Sequence, residues 1–341
     1  MDFIFRPISH WIDRKIVGME EKKEGRKVIT GDDKELPEFN KPEFFENPEM
    51  FFDKGTETPD VTVKPVMTRF GIKISHFSYK SPIESGYPEN DTACGRTFEV
   101  REKVHGDAAP CAIVVHGWRE AGAFEFYHYL LGMVLARYGV NSFFINQPYH
   151  GVRKPAGTQD GDMMLCADME QTIRAFRQSV CDTRALISWV TKNYKGDTGI
   201  IGLSLGGFIS SLVSCVDDRI KFLITVISGG DLETGMENSI VGTTLTKQLE
   251  STGITEEKAR ANWKVICPIS YKSKLPVKAI KIIAGKFDLL IPPENTMNFW
   301  EKWKKPAIKW MSSGHISIGL FPRVLVSNIL SVALNPEARA D

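Results

Sequence analysis

The chain has 341 residues, of which 42% are hydrophobic, and its 43 basic residues stand against 42 acidic ones for a formal net charge of +1. Burial is ample at this length for one large domain or two smaller ones, and the balanced charge, with no basic stripe interleaved with aromatics, argues against a nucleic-acid partner. The six cysteines lack metal-ligand spacing and several lie in apolar runs, as expected of buried thiols in a reducing compartment. Asp2, Arg6, Asp13, Arg14 and Lys15 interrupt the first eighteen positions, which therefore lack the apolar core of a signal peptide. No apolar run is long enough to span a bilayer. The cytoplasm is the expected compartment.

In chain order, Phe5, Ile8, Trp11, Ile12 and Ile16 recur at helical spacing and predict a short amphipathic helix. A charged, proline-punctuated stretch follows, Glu20 to Pro59, with the aromatic pairs Phe44-Phe45 and Phe51-Phe52. Residues 1–60 are set apart as an N-terminal extension, and 61–341 as the main domain. Ile72 to Tyr79 and Arg96 to Arg101 predict antiparallel edge strands. Pro110 to Val115 reads as a strand buried on both faces, ending at His116-Gly117-Trp118. Leu130, Leu131, Val134, Leu135 and Tyr138 form the stripe of a helix that Gly139 stops, leading into the strand Val140 to Ile145. Met169, Ile173, Phe176, Val180, Ile187 and Val190 mark one long helix. Strands alternating with helices in this way specify a mostly parallel sheet with helices on both faces.

The chemistry concentrates at Gly202-Leu203-Ser204-Leu205-Gly206, which follows the apolar run Gly199-Ile200-Ile201. G-x-S-x-G after a strand fits a nucleophile elbow, a sharp strand-to-helix turn that exposes the serine hydroxyl and leaves no room for side chains two residues away. The strand-like run Phe222 to Ile227 leads to Ser228-Gly229-Gly230-Asp231. Between about 231 and 271 the pattern lapses into small and polar residues that suit two or three short helices. Val277 to Ala284 predicts a strand before Gly285-Lys286-Phe287-Asp288, and Pro306 to Met311 a last strand before Ser312-Ser313-Gly314-His315. Ser204, then Asp288, then His315 is the chain order of nucleophile, orienting acid and base in one of the folds that carry such a triad. Asp231 competes for the acid role. The backbone N–H groups of Trp118 and Leu205 are the candidate oxyanion donors.

On these residues the chain resembles the α/β-hydrolase superfamily, from about Val61 to Leu334. It is similar to a little-characterised branch with a Pro-Tyr-His-Gly segment after the fourth strand, here Pro148-Tyr149-His150-Gly151, and with Gly314-His315-Ile316-Ser317. The resemblance implies an α/β-hydrolase fold with the active site at the C-terminal edge of a mostly parallel sheet, a small helical lid insertion at about 231–271, no cofactor, no metal, and a small-molecule ester or thioester substrate. The fourth-strand loop begins Asn146-Gln147-Pro148, where many relatives have Asp and a Gly-His-Gly turn, so no substrate transfers from better-known branches. His150 reads as a loop-ordering residue.

The expected activity is that of a serine hydrolase forming an acyl-enzyme from an ester or thioester with an apolar acyl group. That preference is read from Leu232, Met236, Ile240, Val241, Leu245 and Leu249 in the insertion and from Phe208 and Ile209 after the elbow. The same triad would serve an acyltransferase or amidase, and a non-catalytic hydrolase-fold binding protein is the alternative of another class. The N-terminal helix and its aromatics are expected to pack on the domain surface; the sharper reading is that they wall the substrate site or that residues 1–18 touch a membrane surface weakly.

Overall fold

The described residues of the computed structural model are 2–22, 28–100, 108–120, 123–232 and 239–339. Among them nine strands form one sheet: β1 (Thr62–Arg69), β2 (Ile72–Lys80), β3 (Thr92–Glu99), β4 (Cys111–Val115), β5 (Asn141–Ile145), β6 (Thr198–Leu203), β7 (Leu223–Val226), β8 (Ile280–Gly285) and β9 (Ala307–Met311), in the spatial order β1-β2-β3-β5-β4-β6-β7-β8-β9. The pairs β1–β2, β2–β3 and β3–β5 are antiparallel, and every later pair is parallel. β4 to β7 are buried at every position, as short runs without polar alternation require.

Alternate residues of each strand serve opposite layers. Cys111, Ile113, Val115, Phe143 and Ile200 face one core, which takes Ile173, Phe176 and Leu186 from α3 (Met169–Asn193) and Phe208 and Leu212 from α4 (Leu205–Val216). Ala112, Val114, Phe144, Ile201 and Ile224 face the other, with Leu131 and Leu135 of α2 (Ala123–Arg137) and Leu325 and Ile329 of α8 (Pro322–Ala333). Each fully buried aliphatic side chain contributes about 1.5–3 kcal/mol. All six expected positions of the long helix are buried, and the Asp168 side chain caps it by accepting from the Gln171 N–H at 3.0 Å. Within 231–271 stand α5 (Ile240–Ser251) and α6 (Glu256–Trp263), and α7 (Pro293–Lys302) follows β8. Met236 and Arg101 lie outside the described residues.

Several expectations are corrected. β1 was not foreseen: Pro65 and charged residues break its alternation, and it survives as a largely exposed edge strand with a bulge between Pro65 and Met67. The second edge strand starts at Thr92, four residues before the expected Arg96. Leu130 and Tyr138 of the α2 stripe are exposed. The helix α1 (Asp2–Glu21) does not bury its apolar stripe as a unit, for Ile8 and Trp11 are exposed, Ser9 and Asp13 are buried, and Phe5 packs on Phe321 with ring centroids 5.5 Å apart. Nor do the aromatics of the next stretch stay on the surface. Phe51 and Phe52 enter the first core, and their carbonyls accept from Arg177 Nε and from the Arg184 guanidinium.

Candidate active site

Ser204 links β6 to α4 with φ 53° and ψ −121°, a conformation that L residues avoid and that costs about 1–3 kcal/mol. Its neighbours make the turn possible. A Cβ at Gly202 would lie 2.3 Å from the Gly206 carbonyl oxygen, and one at Gly206 would lie 2.1 Å from that of Val115. The second contact also presses the first turn of α4 against the end of β4. A Cβ at Gly117 would stand 3.1 Å from that of Ser204, so the turn carrying Trp118 passes beside the serine. Leu205 opens α4, and its N–H is one of the first-turn amides without an intrahelical acceptor, at the positive end of the helix dipole.

His315 Nε2 lies 2.9 Å from Ser204 Oγ, and His315 Nδ1 lies 2.8 Å from Asp288 Oδ2. The carboxylate can only accept, so Nδ1 carries the proton and Nε2 is free to accept from the serine hydroxyl. Asp288 Oδ1 accepts from the N–H groups of Leu290 and Ile291, both at 2.8 Å, which fixes the carboxylate plane. Burial depresses the His315 pKa, but the charge and hydrogen bond of Asp288, with smaller contributions from Asp13 and Glu120, outweigh it and hold the imidazole above the ordinary histidine value.

Asp231 is buried beyond β7, where its carbonyl accepts from Asn295 Nδ2, and Asn295 Oδ1 accepts from the Gly230 N–H at 3.0 Å. It lines a small recess of about 80 Å³ with Leu205, Phe208, Leu232 and Trp263. The acid on His315 Nδ1 is Asp288.

Two further histidines organise the turns around the serine. His116 Nε2 accepts from the Gln147 N–H at 3.0 Å, so its Nδ1 donates to the Gly117 carbonyl at 2.7 Å. His150 Nε2 accepts from the Arg119 N–H at 3.1 Å while Nδ1 donates to the Pro148 carbonyl at 2.8 Å. Both must be neutral to accept. Burial pushes both down, His150 to about 4. Thus the Pro-Tyr-His-Gly segment braces the loop that carries Trp118, whose indole N–H donates to the Gly161 carbonyl at 2.7 Å.

The serine opens into a cavity of about 740 Å³ lined largely by apolar side chains, among them Ile12, Ile16 and Val17 of α1, Val241 and Leu245 of α5, and Leu290, Ile318 and Leu320 beyond β8 and β9. Polar and charged side chains also reach it, namely Glu20, Glu21, Arg119, Asp162 and the pair Glu120–His128, joined at 2.8 Å. Burial raises the Glu120 carboxyl, and its bond to His128 with the neighbouring imidazoles more than reverses this, holding it below the usual range. Burial pushes the thiols of Cys111, Cys166, Cys181 and Cys215 up to about 12, so none of these competes as a nucleophile. Sequence reasoning missed Glu120 and Asp13. Neither stands in a motif, and Asp13 lies 302 residues from the histidine it contacts.

Residues 88–275, a little over half of the chain, match the family described as alpha/beta hydrolase domain containing 18. The chain belongs to that family. The wider likeness agrees with the sheet order and the strand-to-helix serine. An acetyl xylan esterase from Paenibacillus sp. R4 superposes with a TM-score of 0.64 at 13% identity, covering 89% of this chain and 96% of that one. An acylaminoacyl peptidase of Pyrococcus horikoshii superposes with a TM-score of 0.55 at 16% identity, covering 82% of this chain and 42% of its own. At such identity these likenesses carry the fold, which is the α/β-hydrolase fold. The Mycobacterium tuberculosis protein Rv2627c is 26% identical over 317 residues, 87% of this chain and 72% of that one. Among the described residues no helix is long and apolar enough to cross a membrane.

Proposed function

We propose that the protein is a serine hydrolase that cleaves a carboxylic ester or thioester with an apolar acyl group. The observation that carries the reading is the hydrogen-bonded line Ser204–His315–Asp288 at the floor of a mainly apolar cavity. Ser204 Oγ attacks the carbonyl carbon and passes its proton to His315 Nε2, while Asp288 holds the tautomer and stabilises the imidazolium that forms. The Trp118 and Leu205 N–H groups receive the developing oxyanion. As the intermediate collapses, the alcohol or thiol leaves with the His315 proton and the acyl group stays on Ser204. Water, deprotonated by His315, then attacks the acyl-enzyme, and the acid departs as the proton returns to Ser204. The segment 231–271, with α5 and α6, serves as the lid that closes the apolar cavity over the acyl chain, a reading supported by Val241 and Leu245, which line the same cavity as Ser204.

A fluorophosphonate probe and a panel of acyl esters and thioesters test the reading. The wild-type protein should label and turn over, and Ser204→Ala should abolish labelling and lower hydrolysis by about four to six orders of magnitude with the fold intact. Equal labelling of Ser204→Ala would remove Ser204 from the chemistry. A folded wild-type protein inert to both probe and panel would favour a binding protein.

A further inference from the structure

Asp13 stands on the inner side of α1 with no exposed surface. Its Oδ2 accepts from the His315 N–H at 3.0 Å and from the Leu289 N–H at 3.3 Å, and its Oδ1 accepts from the Ile316 N–H at 3.0 Å. One carboxylate therefore ties the residue after Asp288 to His315 itself. The approach is close enough that a Cβ at Gly314 would lie 2.6 Å from Asp13 Oδ2. Asp2 and Ser9 fall on the same side of the helix at spacings of eleven and four residues. Ser9 Oγ meets Ser317 Oγ at 3.0 Å, and Asp2 takes Lys286 Nζ at 2.8 Å and Ser312 Oγ at 2.6 Å. A carboxylate buried this deeply is costly unless its oxygens are satisfied, and here they are satisfied by the loops that carry the acid and the base.

We propose that Asp13 is a positioning residue that locks the Asp288 and His315 loops in register, so that α1 is a working part of the active site; the proposal rests on the Ser204 hydrolase reading. The charged groups facing His315 are Asp288 from the loop after β8, Asp13 from α1 and Glu120 from the turn after β4. On α1 itself, His10 interacts with the charges of Arg14, Asp13 and Arg6. Burial holds the Asp13 carboxyl above its ordinary value and the His315 charge offsets only part of that rise, which marks the two as an interacting pair. The imidazolium formed in the reaction thus meets a second negative charge behind Asp288.

The test is the rate of covalent labelling by the fluorophosphonate probe, followed across the histidine titration in folded full-length protein. Asp13→Asn should slow labelling about tenfold or more, through loops released from register, and move the acidic limb to lower pH, because a charge that favoured protonated His315 is gone. Asp13→Glu keeps the charge one methylene further out; its limb should stay in place while the rate falls. Ser9→Ala cuts a neighbouring tie without changing charge and should leave the limb unmoved. A wild-type rate and limb in Asp13→Asn, an equal limb shift in Ser9→Ala, or a full rate in Asp13→Glu would each overturn the proposal. Should Asp13→Asn not fold, Asp13→Glu decides by its rate. Labelling of Ser204→Ala at the wild-type rate would instead sink the hydrolase reading and this proposal with it.

Discussion

His315 and Asp288 interact at 2.8 Å in a site where each is almost wholly buried. Replacing Asp288 by Asn would offer Nδ1 a donor as readily as an acceptor and free the ring to adopt the wrong tautomer. Asp288→Asn should therefore lower kcat by about 10⁴ and draw the acidic limb of kcat/KM to lower pH, since the group that raises His315 is removed. Asp231→Asn should cost far less; the reverse ranking in folded variants would move the acid role to Asp231. His116 and His150 give a second pH effect, on stability. Their folded pKa values lie below the unfolded value of about 6.5, so the unfolded chain takes up protons that the folded one refuses. Stability should be full above about pH 6.5 and fall by about 1.4 kcal/mol per pH unit for each histidine as acid is added. His315, raised instead, works the other way, its contribution being present at low pH and fading as pH rises through its folded value. Urea unfolding of wild type and of a His150→Gln variant at neutral and mildly acidic pH checks this. An equal acid slope in the two proteins would remove His150 from the account.

At the scale of elements, α1 and α5 face one another across the cavity, joined where the Thr244 hydroxyl donates to Glu21. Ile16 lines that space. Ile16→Trp adds bulk to the wall and should lower kcat/KM for long acyl esters about tenfold more than for acetyl esters. An unchanged ratio of octanoyl to acetyl turnover would place the acyl chain elsewhere, the recess beside Asp231, Phe208 and Trp263 being the next place to look. The same helix explains why an apolar stripe at helical spacing misjudged which side is buried. Ile12 and Ile16 line a cavity while Asp13 meets backbone N–H groups and Ser9 the Ser317 hydroxyl. A polar side chain can be the buried one when the surface it meets is a row of N–H groups.

Across the whole molecule, the turn after β5 and the long helix α3 are joined by a buried ion pair that no motif announces. Arg153 donates to Asp182 Oδ2 at 2.7 Å with both side chains wholly inaccessible, and it also donates to the carbonyls of Asn90 and Asn146. Asp182 Oδ1 accepts from Ser81 Oγ at 2.6 Å. Removing one partner leaves the other charge uncompensated in the interior, so Arg153→Ala should destabilise by about 3–5 kcal/mol. The double variant Arg153→Met with Asp182→Leu should recover much of that loss. Chemical denaturation of the single and double variants measures both, and a single variant of wild-type stability would show that the pair is not needed.

The sequence alone determined the parts of this protein that neighbouring residues build. A five-residue glycine pattern creates the serine turn, because its two glycines relieve clashes that the turn itself makes. Apolar runs too short for helices mark strands buried on both faces, and a residue placed just after a parallel strand must emerge at one edge of the sheet, which is why Ser204, Asp288 and His315 could be picked out as candidates. Other features depend on meetings between distant segments. Which acid reaches His315, that Asp13 from the first helix binds the loop of the last strand, that Phe52 belongs to the core, and how wide the cavity is, were all decided by packing. Linear spacing records the period of a helix or strand but not the partner its face will find, so a buried polar residue such as Asp13 leaves no periodic trace. Tertiary structure supplies that partner.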